Sequence, residues 1–93
     1  MDKKIKEALL QLPSLGEADG AKKVEKVVMY GTNGWTWEAY EAEEVESLYG
    51  PDIECFGLVR GFEEELGYWR MRDLFYLCII YSWEHIKEKE VSQ

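Results

Sequence analysis

Cysteine, proline and histidine are scarce in this chain of 93 residues, which holds two Cys, two Pro and one His. Cys55 and Cys78 each sit among apolar neighbours, so they read as buried thiols of a reducing, cytosolic compartment and not as a disulfide framework. A lone His and the lack of any CxxC exclude the usual zinc spacings. Long apolar runs are missing as well. The longest, Leu74 to Tyr81, is far short of the roughly 20 residues that a membrane helix needs, and the opening Met-Asp-Lys-Lys-Ile-Lys leads into no apolar secretory segment. Positive charge is the other deficit, with 11 Lys and Arg against 19 Asp and Glu and a net charge of −8. No basic stripe is available to displace phosphate counterions, which argues against direct binding of nucleic acid or of an anionic membrane.

What the chain does have is apolar and aromatic weight. Hydrophobic residues make up 46% and include four Trp and six Tyr, enough for one core in a single domain over residues 1–93. Residues 2–12 predict an amphipathic helix, with Ile5, Leu9 and Leu12 on one face and Pro13 ending it. A loop over 13–22 precedes a β-branched strand at 24–30. Gly31-Thr32-Asn33-Gly34 predicts a tight turn, and Trp35 to about Ala42 a second strand. Residues 43–53, charged and broken by Gly50-Pro51, read as a loop or frayed hairpin end. A third strand is expected at 54–60, an acidic turn over Gly61 to Gly67, and a short fourth strand at 68–71. From about 72 to 90 the apolar spacing of Leu74, Leu77, Cys78 and Tyr81 favours a helix over the competing strand reading of 74–81. The expected fold class is α+β, an antiparallel sheet of three to four strands flanked by N- and C-terminal helices.

Catalysis finds little support. His85 and Cys78 stand two turns apart on the expected last helix, about 10 Å by its rise, too far for a nucleophile and its base. The carboxylates Glu43, Glu44 and Glu46 and the run Glu63-Glu64-Glu65 could in principle hold Mg²⁺, but Arg60 is the only cation between Glu38 and Glu65. No catalytic residue, metal or cofactor is expected, and the chain reads as a non-enzyme.

Charge segregation is the informative pattern. Ten acids (Glu38, Glu41, Glu43, Glu44, Glu46, Asp52, Glu54, Glu63, Glu64 and Glu65) lie within residues 38–65 with one Arg, while the flanking segments are close to neutral. Solubility does not require such crowding, and crowding of like charge destabilises a fold. Residues two apart on a strand lie about 6.6–6.8 Å apart, so Glu41/Glu43 and Glu44/Glu46 would space carboxylates like successive phosphates. Trp35 and Trp37 are expected in the core, whereas Tyr40 and Tyr49 could stand among the acids. The candidate partner-binding residues are therefore Glu38, Tyr40, Glu41, Glu43, Glu44, Glu46, Tyr49, Glu63, Glu64 and Glu65. The apolar last helix offers a second surface, with Phe75, Ile79, Ile80 and Trp83 as the expected contact of a homodimer.

Three stretches carry a family likeness: Leu10-Gln11-Leu12-Pro13-Ser14-Leu15, Thr32-Asn33-Gly34-Trp35-Thr36-Trp37-Glu38-Ala39, and Phe56-Gly57-Leu58-Val59-Arg60-Gly61-Phe62-Glu63-Glu64-Glu65-Leu66-Gly67-Tyr68. Together they resemble domain of unknown function two-nine-five-eight, a small bacterial family carried on conjugative plasmids and prophages. Glu38 departs from the Tyr that the family tends to place after Trp-Thr-Trp, and 74–86 is more apolar than the family pattern. The resemblance implies a compact α+β fold, a mobile-element origin and a bacterial host cytoplasm, and no reaction. Joined to the charge map, it leads to the expectation of an anti-defence protein, anti-CRISPR or anti-restriction, whose partner offers a basic nucleic-acid groove. The alternative is an accessory protein of the element, acting as a dimer or adaptor through its last helix.

Overall fold

The computed structural model describes residues 2–17, 25–77 and 79–87. In chain order the elements are α1 (Lys3–Leu10), β1 (Glu25–Gly31), β2 (Thr36–Ser47), β3 (Gly50–Arg60), β4 (Glu64–Arg70), α2 (Met71–Leu77) and β5 (Ile80–Lys87). The five strands form one sheet in the order β4-β3-β2-β1-β5, and every neighbouring pair is antiparallel. α2 therefore belongs to a crossover that carries the chain from one edge of the sheet to the other.

Local chemistry explains the first half. Asp2 caps α1 by accepting from the Lys4 N–H at 2.9 Å. Ile5, Ala8 and Leu9 are buried on its inner face, and Leu12 continues that face. The Pro13 carbonyl accepts from the Ala42 N–H at 3.0 Å, which docks the following loop on β2 where β1 no longer covers it. Gly31, Asn33 and Gly34 close the β1–β2 turn with hydrogen bonds of 2.9–3.0 Å. Ile5, Leu9, Val27, Met29, Trp37, Ala39, Ile53, Cys55, Met71 and Leu74 share one core. Both helices thus cover the same face of the sheet and leave the other without a helix.

The expected α+β class with an antiparallel sheet and two helices holds, but the sheet has five strands instead of three to four and no helix stands at the C-terminal end of the described residues; three segments account for this. Of the two readings of 43–53, the hairpin end holds, but as fully paired strand and not frayed, because β2 and β3 stay paired from Thr36↔Arg60 to Ser47↔Gly50. A β-bulge between Ala39 and Glu41 shifts the inward positions from Trp37 and Ala39 to Ala42, which conceals the strand period in the sequence. Gly50, at φ +103°, closes the hairpin. Secondly, the turn after β3 is short, and β4 runs over Glu64–Arg70 instead of beginning at Tyr68. Thirdly, the helix expected over 72–90 ends at Leu77, and Ile80–Lys87 is a strand paired with Glu25–Gly31 of β1. That pairing satisfies the outer backbone of β1, so tertiary context overrides a helical spacing in which Leu77 and Tyr81 are exposed.

Candidate functional site

The fold buries three of the ten acids, exposes six and leaves Glu54 half-buried. Glu38, Glu41 and Asp52 are buried at 3%, 6% and 5% exposure. Glu38 lies on the helix-free face. One carboxylate oxygen accepts from Lys26 Nζ at 3.3 Å and from the Tyr40 hydroxyl at 3.2 Å, and the other meets Arg60 Nη1. Burial, and then the Glu38 charge, push the Tyr40 phenol up to about 12, and the same carboxylate raises Arg60 further. Glu41 accepts from the Gly16 N–H at 3.0 Å. Asp52 accepts from the Ile53 and Arg72 N–H groups at 2.8 and 3.0 Å, which holds the start of α2 against β3. Glu38, Tyr40 and Glu41 are thus internal polar anchors and not part of an exposed binding face. A buried carboxylate must find cations or N–H donors, and here the neighbouring strands, the loop after α1 and the start of α2 supply them.

The exposed acids gather at opposite ends of the long hairpin. Glu43, Glu44 and Glu46 lie near the β2–β3 turn beside exposed Leu48 and Tyr49. Glu63, Glu64 and Glu65 lie at the β3–β4 turn beside Phe62, which is 94% exposed. The length of β3, about 35 Å at 3.3 Å per residue, separates them. No continuous row of phosphate-like carboxylates forms. Glu41 and Glu43 oppose Phe56 and Glu54 on the helix-free face, while Glu44 opposes the core residue Ile53 on the other.

The two ends differ in their cations. At the hairpin turn, Lys6 meets Glu44 at 3.2 Å and Arg70 meets Glu54 at 3.0 Å. The Arg72 guanidinium donates to the Tyr49 and Pro51 carbonyls and stands 6.0 Å from the Tyr49 ring. A cleft of about 500 Å³ there is lined by Lys6, Glu44, Asp52, Ile53, Arg72 and Phe75 among others. At the β3–β4 turn, Arg60 is committed to Glu38 and Glu64. A smaller cavity of about 230 Å³ is lined by Trp35, Val59, Phe62, Glu63 and Glu65, with no cation in its wall. Phe62 and the half-buried Trp35 are the site residues that sequence reasoning missed. The available signal was Phe62 itself, a large ring at the apex of an acidic turn.

The proposed dimer surface does not exist as one helix face. Phe75, Ile80 and Trp83 are half-buried and pack against the core, and of the four only Ile79 is exposed. His85 lies on β5, not on a helix, and its Nε2 is 2.5 Å from Glu25 on β1. Cys78, and with it the considered Cys–His pair, lies outside the described residues. Cys55 is buried beside Asp52 and Glu54, and its thiol pKa is pushed up, chiefly by desolvation, which leaves little thiolate. Among the described residues no group of three or more His, Cys, Asp or Glu could hold a metal, and no helix is long and apolar enough to cross a membrane. No family model, curated protein or solved structure matches this chain.

Proposed function

We propose that this protein is a non-enzymatic interaction module that occupies the basic, nucleic-acid-binding groove of a partner protein. The observation that carries the reading is the gathering of exposed carboxylates at both ends of one hairpin, each around an exposed apolar tip: Leu48 and Tyr49 at one end, Phe62 at the other. Carboxylates at the rim steer association with a positive partner, and the apolar tips supply contacts that do not weaken with salt. Two acidic ends about 35 Å apart suit an elongated groove. Nucleic acid and this protein would then exclude each other, which is inhibition by competition.

The concrete target is a defence complex, a CRISPR effector or a restriction enzyme. That part leans on the likeness of residues 32–39 and 56–68 to a mobile-element family. The test is displacement of labelled DNA or guide RNA from a panel of purified effectors by the purified protein. Displacement is expected at low salt and should fall steeply as salt rises. Its absence across the panel, or turnover of the nucleic acid by the protein itself, would refute the reading.

A second reading, assembly with another copy of the chain as an accessory or adaptor, is favoured by one cluster. Tyr76, Leu77, Ile79 and Tyr81 at the α2–β5 junction are all exposed. Sedimentation at rising concentration checks it: a mass that stays at one chain removes the dimer.

A further inference from the structure

The cavity at the β3–β4 turn joins aromatic rings to carboxylates with no cation in its wall. Its floor is the Trp35 indole, lying directly on the backbone of Gly61: a Cβ added there would stand 2.5–2.6 Å from three indole carbons. The ring is therefore fixed by a contact that only glycine permits. Phe62 meets it edge-on, with ring centroids 5.4 Å apart and planes at 81°, and Val59 completes the apolar wall. Two carboxylates, Glu63 and Glu65, close the remaining side. Both are exposed, and neither takes part in an ion pair among the described residues. Glu64 between them is turned to Arg60 at 3.1 Å. Arg60, one position before Gly61, is thus engaged by Glu38 and Glu64.

We propose that this cavity is a socket for one arginine side chain of the basic partner. The inference rests on the reading of the protein as a module for a basic groove and names the contact through which the β3–β4 end engages it. A three-carbon stem suits the Val59, Trp35 and Phe62 walls, as long cationic side chains commonly lie along apolar surface with the charge at the rim. At the rim a planar guanidinium offers paired N–H donors to a carboxylate and a flat face to an aromatic ring. A depression of about 230 Å³ has room for one such side chain.

The test uses the whole protein, labelled with ¹⁵N, and the blocked tripeptide acetyl-Gly-Arg-Gly-amide, with its uncharged citrulline analogue as control. The Trp35 indole N–H and the backbone N–H groups of residues 61–65 should shift with the arginine peptide, and the citrulline peptide should bind about tenfold more weakly. Phe62→Ala and the pair Glu63→Gln/Glu65→Gln should each weaken the arginine peptide about fivefold. Both alter exposed side chains, and an unchanged remainder of the spectrum reports that they fold. Glu43→Gln/Glu44→Gln/Glu46→Gln should leave this affinity within about twofold.

Shifts centred on residues 43–49 would overturn the socket and leave the basic-partner reading standing. No shifts anywhere from the arginine peptide or from oligo-arginine would overturn both. Equal binding of the citrulline peptide, or the same shifts from Mg²⁺ alone, would also overturn the socket.

Discussion

The two acidic ends of the β2–β3 hairpin are built on different foundations. The β3–β4 end hangs on an internal network in which Glu38 is held by Lys26, Tyr40 and Arg60 from three positions on the sheet. Its outer carboxylates, Glu63 and Glu65, are left over once Arg60 has been taken. The hairpin-turn end has its own buried anchor in Asp52, but its ion pairs, Lys6–Glu44 and Arg70–Glu54, are exposed or half-exposed. A buried network resists change and costs much when broken, whereas surface pairs contribute about 0–1 kcal/mol. The contrast places structural cost near Glu38 and leaves the hairpin-turn acids free to act on partners at small cost to the fold.

The strongest test of the contrast is Gly57→Ala. A Cβ at Gly57 would stand 1.7 Å from the Glu38 carbonyl oxygen, a backbone atom beside the bulge at Tyr40. Either β3 or the bulge must move, and the Glu38 network moves with it. A loss of about 3 kcal/mol or more is expected by chemical denaturation. A variant as stable as the wild type would show that the bulge does not constrain the network.

Glu38→Ala comes next, at about 2 kcal/mol. Full loss of a buried pair costs more, but Arg60 and Lys26 remain partly in water and can be solvated once the carboxylate is gone. Glu38→Gln, which keeps an acceptor for Tyr40, should lose less than Glu38→Ala. If the two substitutions cost the same, the charge and not the hydrogen bond supplies the stability.

Much of the N-terminal half was legible in the sequence because its signals are local. The Ile5–Leu9–Leu12 spacing and Pro13 delimit α1, and Asn33-Gly34 marks the turn after β1. The burial of Glu38 was not legible. Its partners Lys26 and Arg60 lie 12 and 22 positions away and meet it only through strand pairing. The full pairing of 43–53 was hidden by the bulge, which inverts the inward face midway along β2. The strand at 80–87 was hidden by an apolar run that satisfies either period, and only the unfilled edge of β1 decides between them. The cavity at Trp35 and Phe62 needed the Gly61 contact, which composition does not reveal.

Alkaline pH offers a graded test of the same network. Tyr40 is a phenol whose ordinary pKa of 10.0 is raised to about 12 by burial and by Glu38. Between these values the folded chain binds more protons than the unfolded one, so stability falls as pH rises. The contribution is whole below pH 10 and is lost on passing to 12. Tyr40→Phe should flatten stability across that window and cost about 1 kcal/mol below it, through the lost hydrogen bond to Glu38. A residual slope is expected from Tyr30, whose pKa is raised by burial and then by Glu84. An unaltered slope in Tyr40→Phe would detach Tyr40 from the network.

The smallest structural effect is expected at the hairpin-turn end. Replacing Glu43, Glu44 and Glu46 together by Gln removes three exposed negative charges at the cost of the Lys6–Glu44 pair, in which both side chains are about half exposed. Relief of repulsion and loss of that pair nearly offset each other, so stability should move by no more than about 0.5 kcal/mol in either direction. Association with a basic partner should nevertheless slow by about tenfold at low salt, chiefly through the on-rate, and the difference should shrink as salt rises. The matched change of Lys3, Lys4 and Lys6 to Gln also breaks the Lys6–Glu44 pair but leaves the carboxylates, so it should not slow association. Stopped-flow association of the two triple variants at several salt concentrations separates these outcomes. Association that survives the glutamate changes but is lost on the lysine changes would place the contact on the α1 side and end the role assigned to the acids.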